Sequence, residues 1–162
     1  MTKLAPRPVL RDMAAADLRA VMTIERSAFD EPWPESAFSG LLARGDALHT
    51  VATAGKTGCV VGYSVTLVQG RLAQLANLAV AEGARRRGLG RRLAREAVAA
   101  SALRGARRIF LEVREGNVPA LTLYEELGFE ALSVRPDYYS NPSEDAIVLA
   151  RTTGPPRPHE SS

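Results

Sequence analysis

The sequence predicts one mixed α/β domain built around a central sheet. Its 162 residues are enough to bury a core and fall in the range of roughly 100–200 that is typical of a single domain. Hydrophobic periodicity gives the order strand, two helices, three strands, helix, strand, helix and two strands. We expect the domain to span residues 1–151, followed by a disordered tail, rich in Pro and Ser, over Thr152–Ser162.

The first half of the chain changes from helical to extended patterns. Apolar residues at helical spacing follow a short extended segment, and Pro32-Trp33-Pro34 interrupts them. Three strand-like runs come next, separated by the turn-forming segments Gly55–Gly58 and Gln69-Gly70. The expected elements are a strand at Pro8–Arg11, helices at Asp17–Phe29 and Glu35–Arg44, and strands at His49–Ala54, Val60–Val68 and Arg71–Val80.

The second half carries clear helix-end signals. Asn117 is the expected N-cap of a helix with Pro119 in its first turn, and Gly128 supplies a left-handed C-terminal stop. The segment before this helix is expected to be a strand, with Ile109, Leu111 and Val113 on one face and Phe110, Glu112 and Arg114 on the other. The expected elements are a helix from Gly88 to Leu103, a strand at Ile109–Val113, a helix from Asn117 to Leu127, and strands at Phe129–Arg135 and Ala146–Ala150 joined by the loop Pro136–Asp145.

Composition argues against a membrane, disulfide-linked or metal-dependent protein. No apolar run approaches the ~20 residues of a membrane span, and the N-terminus shows no apolar secretion segment, so we expect a cytoplasmic protein. The single cysteine, Cys59, cannot form an intramolecular disulfide or a zinc cluster, and we expect it to be a small core or strand residue. His49 and His159 are far apart in sequence, which argues against a metal site.

The segment Arg85-Arg86-Arg87-Gly88-Leu89-Gly90 lies between a predicted strand and a predicted helix. A helix start leaves backbone N–H groups unpaired where the macrodipole is positive, and this combination attracts anions. The glycines permit close approach to a ligand, and the arginines add charge-assisted contacts to phosphate. The segment therefore predicts a phosphate site, although a tight turn followed by a solvated arginine face explains the same residues.

The kind of phosphate ligand is narrowed by what the segment lacks. It has no Lys-Ser/Thr pair after the glycines, as a P-loop needs, and Leu93 stands where a dinucleotide fingerprint needs a third glycine. Aromatic residues do not interleave with the clustered arginines, which makes a compact, phosphate-rich cofactor a better partner than nucleic acid. The cluster consists of Arg85, Arg86, Arg87, Arg91, Arg92, Arg95, Arg104, Arg107 and Arg108.

Several motifs resemble those of a known family. Arg85-x-x-Gly88-x-Gly90 after Asn77–Val80 resembles the acetyl-CoA signature of the GNAT acetyltransferases. A narrower resemblance, to the ribosomal-protein-alanine N-acetyltransferases of the RimI type, rests on Leu111–Arg114, Asn117, Leu123–Glu130, Arg135-x-x-Tyr138-Tyr139 and Glu144-Asp145-Ala146. The resemblance implies a GNAT-like domain with a mostly antiparallel, twisted sheet flanked by helices. It also implies acetyl-CoA as co-substrate, no metal, and a protein N-terminus as partner.

The resemblance also assigns cofactor contacts. It implies that the pyrophosphate lies on the N–H groups from Arg86 to Arg91, and that the pantetheine pairs with the backbone of Leu78–Val80 like an added strand. Asn117 would contact CoA, a role compatible with capping a helix. The cofactor-binding residues are then Leu78, Ala79, Val80, Arg85, Arg86, Arg87, Gly88, Leu89, Gly90, Arg91 and Asn117.

Acetyl transfer to an amine needs a base for the amine and an acid for the leaving thiolate. Glu112 is the candidate base, because a carboxylate in the middle of an apolar strand is disfavoured without a purpose or a partner. Its alternative role is to pair with a cross-strand arginine on a solvated face. The resemblance places the general acid at Tyr124, whose alternative is ordinary helix packing.

The resemblance places the walls of a peptide groove at Trp33, Arg135, Tyr138 and Tyr139, although simple packing of surface aromatic residues explains the same positions. An α-amino group is roughly 10% neutral at pH 7 and lysine only about 0.04%, so the α-amine is the easier substrate. We therefore expect acetylation of an N-terminal alanine of a small-subunit ribosomal protein. The alternatives are lysine, polyamine or antibiotic acetylation, or a non-catalytic module that senses acetyl-CoA or binds RNA.

Overall fold

The computed structural model describes residues 7–140 and 143–154, which form seven strands and four α-helices. Two short 3₁₀ turns, Ala15–Asp17 and Glu82–Ala84, precede α1 and α3. The elements are β1 (Val9–Asp12), α1 (Leu18–Ala28), α2 (Glu35–Leu42), β2 (Ala47–Thr53), β3 (Val60–Gln69), β4 (Leu72–Val80), α3 (Leu89–Leu103), β5 (Arg108–Arg114), α4 (Val118–Glu126), β6 (Glu130–Tyr139) and β7 (Glu144–Thr152).

The strands form one sheet in the order β1-β2-β3-β4-β5-β7-β6. Every neighbouring pair is antiparallel except β4 and β5, which confirms the mostly antiparallel sheet. The parallel pairing is short and joins Leu72–Gln74 to Arg108–Phe110. Beyond it, the facing sides of β4 and β5 have no hydrogen-bonded neighbour among the described strands, so the sheet opens there.

A bulge in β4 lies where this opening begins. Val65 of β3 pairs with Asn77 and Thr66 pairs with Leu75, which leaves Ala76 as the extra residue. A bulge changes which face of the sheet the following side chains occupy. Leu75 accordingly packs in the core cluster under α3, whereas Asn77 bonds to a residue of α1.

Helices cover both faces of the sheet. One cluster packs α1 and α2 on β2–β4, with Val21, Phe38 and Tyr63 at its centre. The other face carries α3 and α4 over Ile109, Leu111 and Leu149. Gly62 lets α3 approach closely, since a Cβ there would lie 3.2 Å from Leu93 Cδ1 and 3.3 Å from Leu89 Cδ2.

The predicted element order is confirmed, but the loop predicted at Pro136–Asp145 is wrong at both ends. β6 continues through Pro136 to Tyr139, and β7 begins at Glu144. Proline is tolerated because β6 is an edge strand, and Asp137, with φ 50°, marks an irregularity in its pairing. Pro142, part of the same predicted loop, lies outside the described residues.

Two further expectations change. Thr152 belongs to β7, and the Thr153 N–H donates to the Arg107 carbonyl at 3.0 Å, so regular structure passes the predicted domain end. The rest of the predicted tail from residue 155, including His159, lies outside the described residues. Cys59 is exposed in the turn before β3 and not in the core. Within the described ranges, no helix is long and apolar enough to cross a bilayer.

Candidate active site

A cavity of about 510 Å³ lies at the opening between β4 and β5. Its lining comes from β4, β5, α4, the α1–α2 loop and the last hairpin, segments that are far apart in sequence. It brings together six of the predicted site residues, namely Trp33, Leu78, Glu112, Asn117, Tyr124 and Tyr139. Further polar residues in its wall are Glu25, Asp30, Glu31, Asn77, Arg114 and Glu144.

The Glu112 carboxylate is nearly buried and pairs with an arginine. Its side chain is 8% exposed, and Oε1 lies 3.2 Å from Nη1 of Arg135. Arg135 reaches it across β7 from the edge strand β6. Interaction with Glu112, then burial, raises the pKa of Tyr138. The predicted arginine pair is therefore present, Glu112 also lines the cavity, and its role as a base stays a prediction.

Tyr124 lies on α4 and is held by packing. Its ring makes an edge contact with Phe129, with centroids 5.5 Å apart, inside the cluster under α3 and α4. Burial raises the pKa of the Tyr124 hydroxyl well above its ordinary value. The side chain therefore stays protonated through the neutral and mildly alkaline range, which is the state a proton donor needs.

The predicted cofactor strand has a free edge. Leu78, Ala79 and Val80 pair with β3 on one side, and the β4–β5 pairing has already ended at Gln74 on the other. Backbone groups on this second side can accept an extended ligand as an added strand. The residues present therefore fit a pantetheine arm.

The arginine–glycine segment adopts the backbone of an anion site. Arg86 has φ 65° and Gly88 has φ 78°, and α3 starts directly afterwards at Leu89. The positive φ values turn the backbone sharply just before the helix start, whose free N–H groups attract anions. The Arg85 side chain donates to the Val80 carbonyl at 3.1 Å, and Arg91 pairs with Glu126, so two of the arginines also bond within the protein.

The cap prediction for Asn117 is confirmed. Its side-chain oxygen accepts from the Ala120 N–H at 3.2 Å, and Pro119 lies in the first turn of α4. Gly128 ends the helix region with φ 91°. The CoA contact of Asn117 stays a prediction, and its place in the cavity wall is compatible with it.

The predicted acceptor walls are only partly in the cavity. Trp33 packs on Phe38 with ring centroids 5.2 Å apart, and Tyr139 lies under the Arg114 guanidinium at 4.3 Å. Tyr138 is 48% exposed and lies near Arg135, outside the lining of the cavity. Burial raises the pKa of Tyr139 to about 12.

The sequence did not predict a bridge between the α1–α2 loop and the end of β6. Glu31, in the α1–α2 loop, accepts from the Ser140 hydroxyl at 2.6 Å and lies 3.7 Å from Arg114. Arg114 also contacts Glu144 at 3.3 Å, and Glu144 accepts from the Gly116 N–H. Glu31 and Ser140 are more than a hundred positions apart in sequence, so no local pattern predicts their contact.

The start of α3 also borders a second cavity, of about 690 Å³. It lies on the side of α3 that faces the β2–β3 turn and the beginning of the described chain, and Arg87, Gly88, Leu89 and Arg91 take part in its wall. The predicted cofactor residues therefore do not share one cavity. The β4 edge belongs to the first cavity and part of the arginine–glycine segment to the second.

Comparison with known proteins agrees with this geometry. A family model described as "Acetyltransferase (GNAT) family" matches residues 18–129. The chain belongs to the GNAT acetyltransferase family. The [Ribosomal protein bS18]-alanine N-acetyltransferase of Salmonella typhimurium is 36% identical over 141 residues, which cover 85% of this chain and 93% of the relative.

Solved structures show the same fold. The ribosomal-protein-S18-alanine N-acetyltransferase from Escherichia coli superposes with a TM-score of 0.83 at 31% identity, covering 93% of this chain and 97% of the other. Arabidopsis thaliana NAA60 in complex with acetyl-CoA gives a TM-score of 0.81 at 21% identity, covering 90% and 98%. This chain is accordingly an acetyl-CoA-dependent N-acetyltransferase.

Proposed function

We propose that this enzyme transfers acetyl from acetyl-CoA to the α-amino group of an N-terminal alanine on a small-subunit ribosomal protein. The observation that carries the proposal is the cavity at the β4–β5 opening, where Glu112 from β5 and Tyr124 from α4 line one space. The similarity to enzymes named as bS18-alanine N-acetyltransferases supports this acceptor. A cytoplasmic location belongs to the same proposal.

Glu112 accepts a proton from the acceptor amine, directly or through one water molecule. Its position in β5 places the carboxylate in the cavity wall, and the contact to Arg135 orients it. An α-amine has a pKa of about 8, so only a modest basicity is required of the carboxylate at neutral pH.

Tyr124 donates its proton to the thiolate of CoA when the amine nitrogen replaces sulfur on the acetyl carbon. Burial keeps the Tyr124 hydroxyl protonated, and a thiol of pKa ~8.5 is basic enough as its thiolate to take the proton. The free edge of β4 and the N–H groups before α3 hold the pantetheine and the pyrophosphate in this proposal.

Mass spectrometry of two peptides incubated with the enzyme and acetyl-CoA tests the proposal. One peptide carries a free N-terminal alanine and no lysine, and the other has a blocked N-terminus and one internal lysine. We expect an added acetyl group on the alanine peptide alone. Acetylation of the lysine peptide alone would contradict the acceptor, and acetylation of neither would point to a small-molecule amine or to a binding module.

A further inference from the structure

Glu25 is a carboxylate placed on the apolar face of α1. It follows Leu18, Val21 and Met22 at helical spacing, and all of these residues are buried. Glu25 is 1% exposed, and among the described residues no cation forms an ion pair with it. A buried carboxylate persists only when hydrogen bonds satisfy its oxygens.

Three donors from three segments satisfy the Glu25 carboxylate. Oε1 accepts from the Tyr63 hydroxyl at 2.5 Å and from the Asn77 side-chain amide at 2.8 Å. Oε2 accepts from the backbone N–H of Trp33 at 2.9 Å. The first two donors lie on β3 and β4 in the sheet, and the third lies in the loop between α1 and α2.

The hydrogen bond from the Trp33 N–H to Glu25 holds the backbone of the α1–α2 loop. Trp33 stands between Pro32 and Pro34, and proline has no N–H, so Trp33 carries the single backbone donor of these three residues. Its side chain packs on Phe38 and lines the cavity that also holds Glu112. Loss of the bond to Glu25 would free the loop to move its indole.

The other end of the network lies beside the cofactor strand. Asn77 directly follows the bulge at Ala76 and precedes Leu78, whose backbone belongs to the free edge of β4. Glu25 therefore connects the strand proposed to hold pantetheine with the loop proposed to contact the acceptor. Although Glu25 contributes to the cavity wall, it is 1% exposed and its carboxylate oxygens are occupied by three donors of the protein itself.

We propose that Glu25 is a positioning residue for the acceptor, which fixes Trp33 at a set distance from β4 and so sets the width of the cavity. The inference rests on the proposed function, because it takes the cavity beside Trp33 as the place where the acceptor binds. Glu25 acts through the Trp33 backbone and has no part in proton transfer.

The test compares Glu25→Leu with the matched control Tyr63→Phe. Leucine suits the apolar face of α1 and has no acceptor oxygen, so the Trp33 N–H loses its partner. Tyr63→Phe removes a donor from the same carboxylate and leaves the Trp33 bond in place. Both variants disturb the buried network, and only Glu25→Leu removes the bond to the loop.

Trp33 is the only tryptophan in the chain, so fluorescence excited selectively at tryptophan, away from tyrosine absorption, reports on this loop alone. We expect Glu25→Leu to increase acrylamide quenching of Trp33 and to shift its emission to longer wavelength, with Tyr63→Phe resembling the wild type. We expect the KM for the alanine peptide to rise about tenfold in Glu25→Leu, while kcat and the KM for acetyl-CoA change little.

Equal quenching and equal peptide KM in the two variants would overturn the inference, even if both lower the melting temperature. A kcat loss in Glu25→Leu with an unchanged peptide KM would overturn it as well. If the wild type acetylates neither peptide, the proposed function fails, while the quenching comparison still decides whether Glu25 fixes the Trp33 loop.

Discussion

The two sides of the cavity are held in different ways. On the cofactor side, the free edge of β4 and the turn before α3 offer backbone groups, and their shape depends on a bulge and on the positive φ of Arg86 and Gly88. On the acceptor side, the walls are fixed by side-chain contacts such as Glu25 with Trp33 and Glu31 with Ser140. The first side is a local backbone feature, and the second is assembled from distant segments.

This difference predicts which parts of the site tolerate side-chain substitution. A backbone site tolerates side-chain substitution as long as the backbone conformation is kept, whereas a wall built of side-chain contacts changes with each contact. We therefore expect substitutions on the acceptor side to alter the peptide KM and backbone changes near α3 to alter the KM for acetyl-CoA. The reacting groups, Glu112 and Tyr124, lie between the two sides.

The largest effect is expected from Glu112→Gln. Removing the base lowers kcat by about 10²- to 10³-fold, because an amide cannot take the proton of the amine. Binding of acetyl-CoA, measured by calorimetry, stays unchanged, since the proposed cofactor contacts are made by the free edge of β4 and the turn before α3 and not by this carboxylate. Glu130→Gln, an exposed carboxylate at the start of β6, is the matched control and keeps full activity. Full activity in Glu112→Gln would remove the base role.

A somewhat smaller effect is expected from Tyr124→Phe. The ring packing on Phe129 is kept while the proton donor is lost, so kcat falls by roughly 10²-fold with little change in the KM of either substrate. A steady-state assay with both substrates varied separates the two parameters. An unchanged kcat at saturating substrates would exclude Tyr124 as the acid.

The pH dependence of kcat in the wild type tests the assignment of Tyr124 as the acid. Because burial raises the pKa of Tyr124, its neutral form persists as the pH rises through the ordinary tyrosine value of 10.0. We expect kcat to show no alkaline loss from this group up to about pH 10. A fall in kcat between pH 8 and 9 that is absent in Tyr124→Phe would contradict this expectation.

A moderate effect is expected from Gly88→Ala on the cofactor side. The φ of 78° places any Cβ in the left-handed region, at a cost of roughly 1–2 kcal/mol, and the KM for acetyl-CoA should rise about five- to tenfold. Gly83→Ala is the control in the same connection, since its Cβ meets nothing within 4 Å and its φ is not in that region. A rise in the peptide KM without a rise in the KM for acetyl-CoA would contradict the assignment of this turn to cofactor binding.

The smallest effect is expected from Glu31→Gln on the acceptor side. Its bonds from Ser140, together with the charge of Arg114, lower the pKa of Glu31, so the charged bridge exists at neutral pH and is lost as the pH falls through that lowered pKa. The contacts are solvent-accessible, and we expect the peptide KM to rise only about twofold. The difference from wild type should narrow at acid pH, and Glu35→Gln at the start of α2 should show none.

The backbone around the proposed cofactor contacts could be predicted because its signals are local, whereas the contacts themselves stay predictions. Gly88 before α3, the Asn117 cap and the Gly128 stop each act within a few residues of the chain, and each lies where it was expected. The alternation in β5 likewise predicted that Ile109, Leu111 and Val113 share one face, and all three are buried.

The acceptor side could be predicted only in part. Trp33 and Tyr139 line the cavity, and their contact with an acceptor stays a prediction. The roles of Glu25 and Glu31 depend on contacts between segments that no pattern joins. One signal was present for Glu25, a charged residue on the apolar face of a helix, and it indicates a buried partner. No such signal exists for Glu31, which lies in a loop.

The choice between an α-amine and a lysine acceptor is decided by one peptide that carries both a free N-terminal alanine and an internal lysine. The two amines then compete for the same enzyme at equal concentration, and fragmentation mass spectrometry locates the acetyl group. We predict the acetyl group on the alanine nitrogen in wild type, and a loss of that product in Glu112→Gln. Acetylation of the lysine in preference to the alanine would exclude the N-terminal alanine as the preferred acceptor.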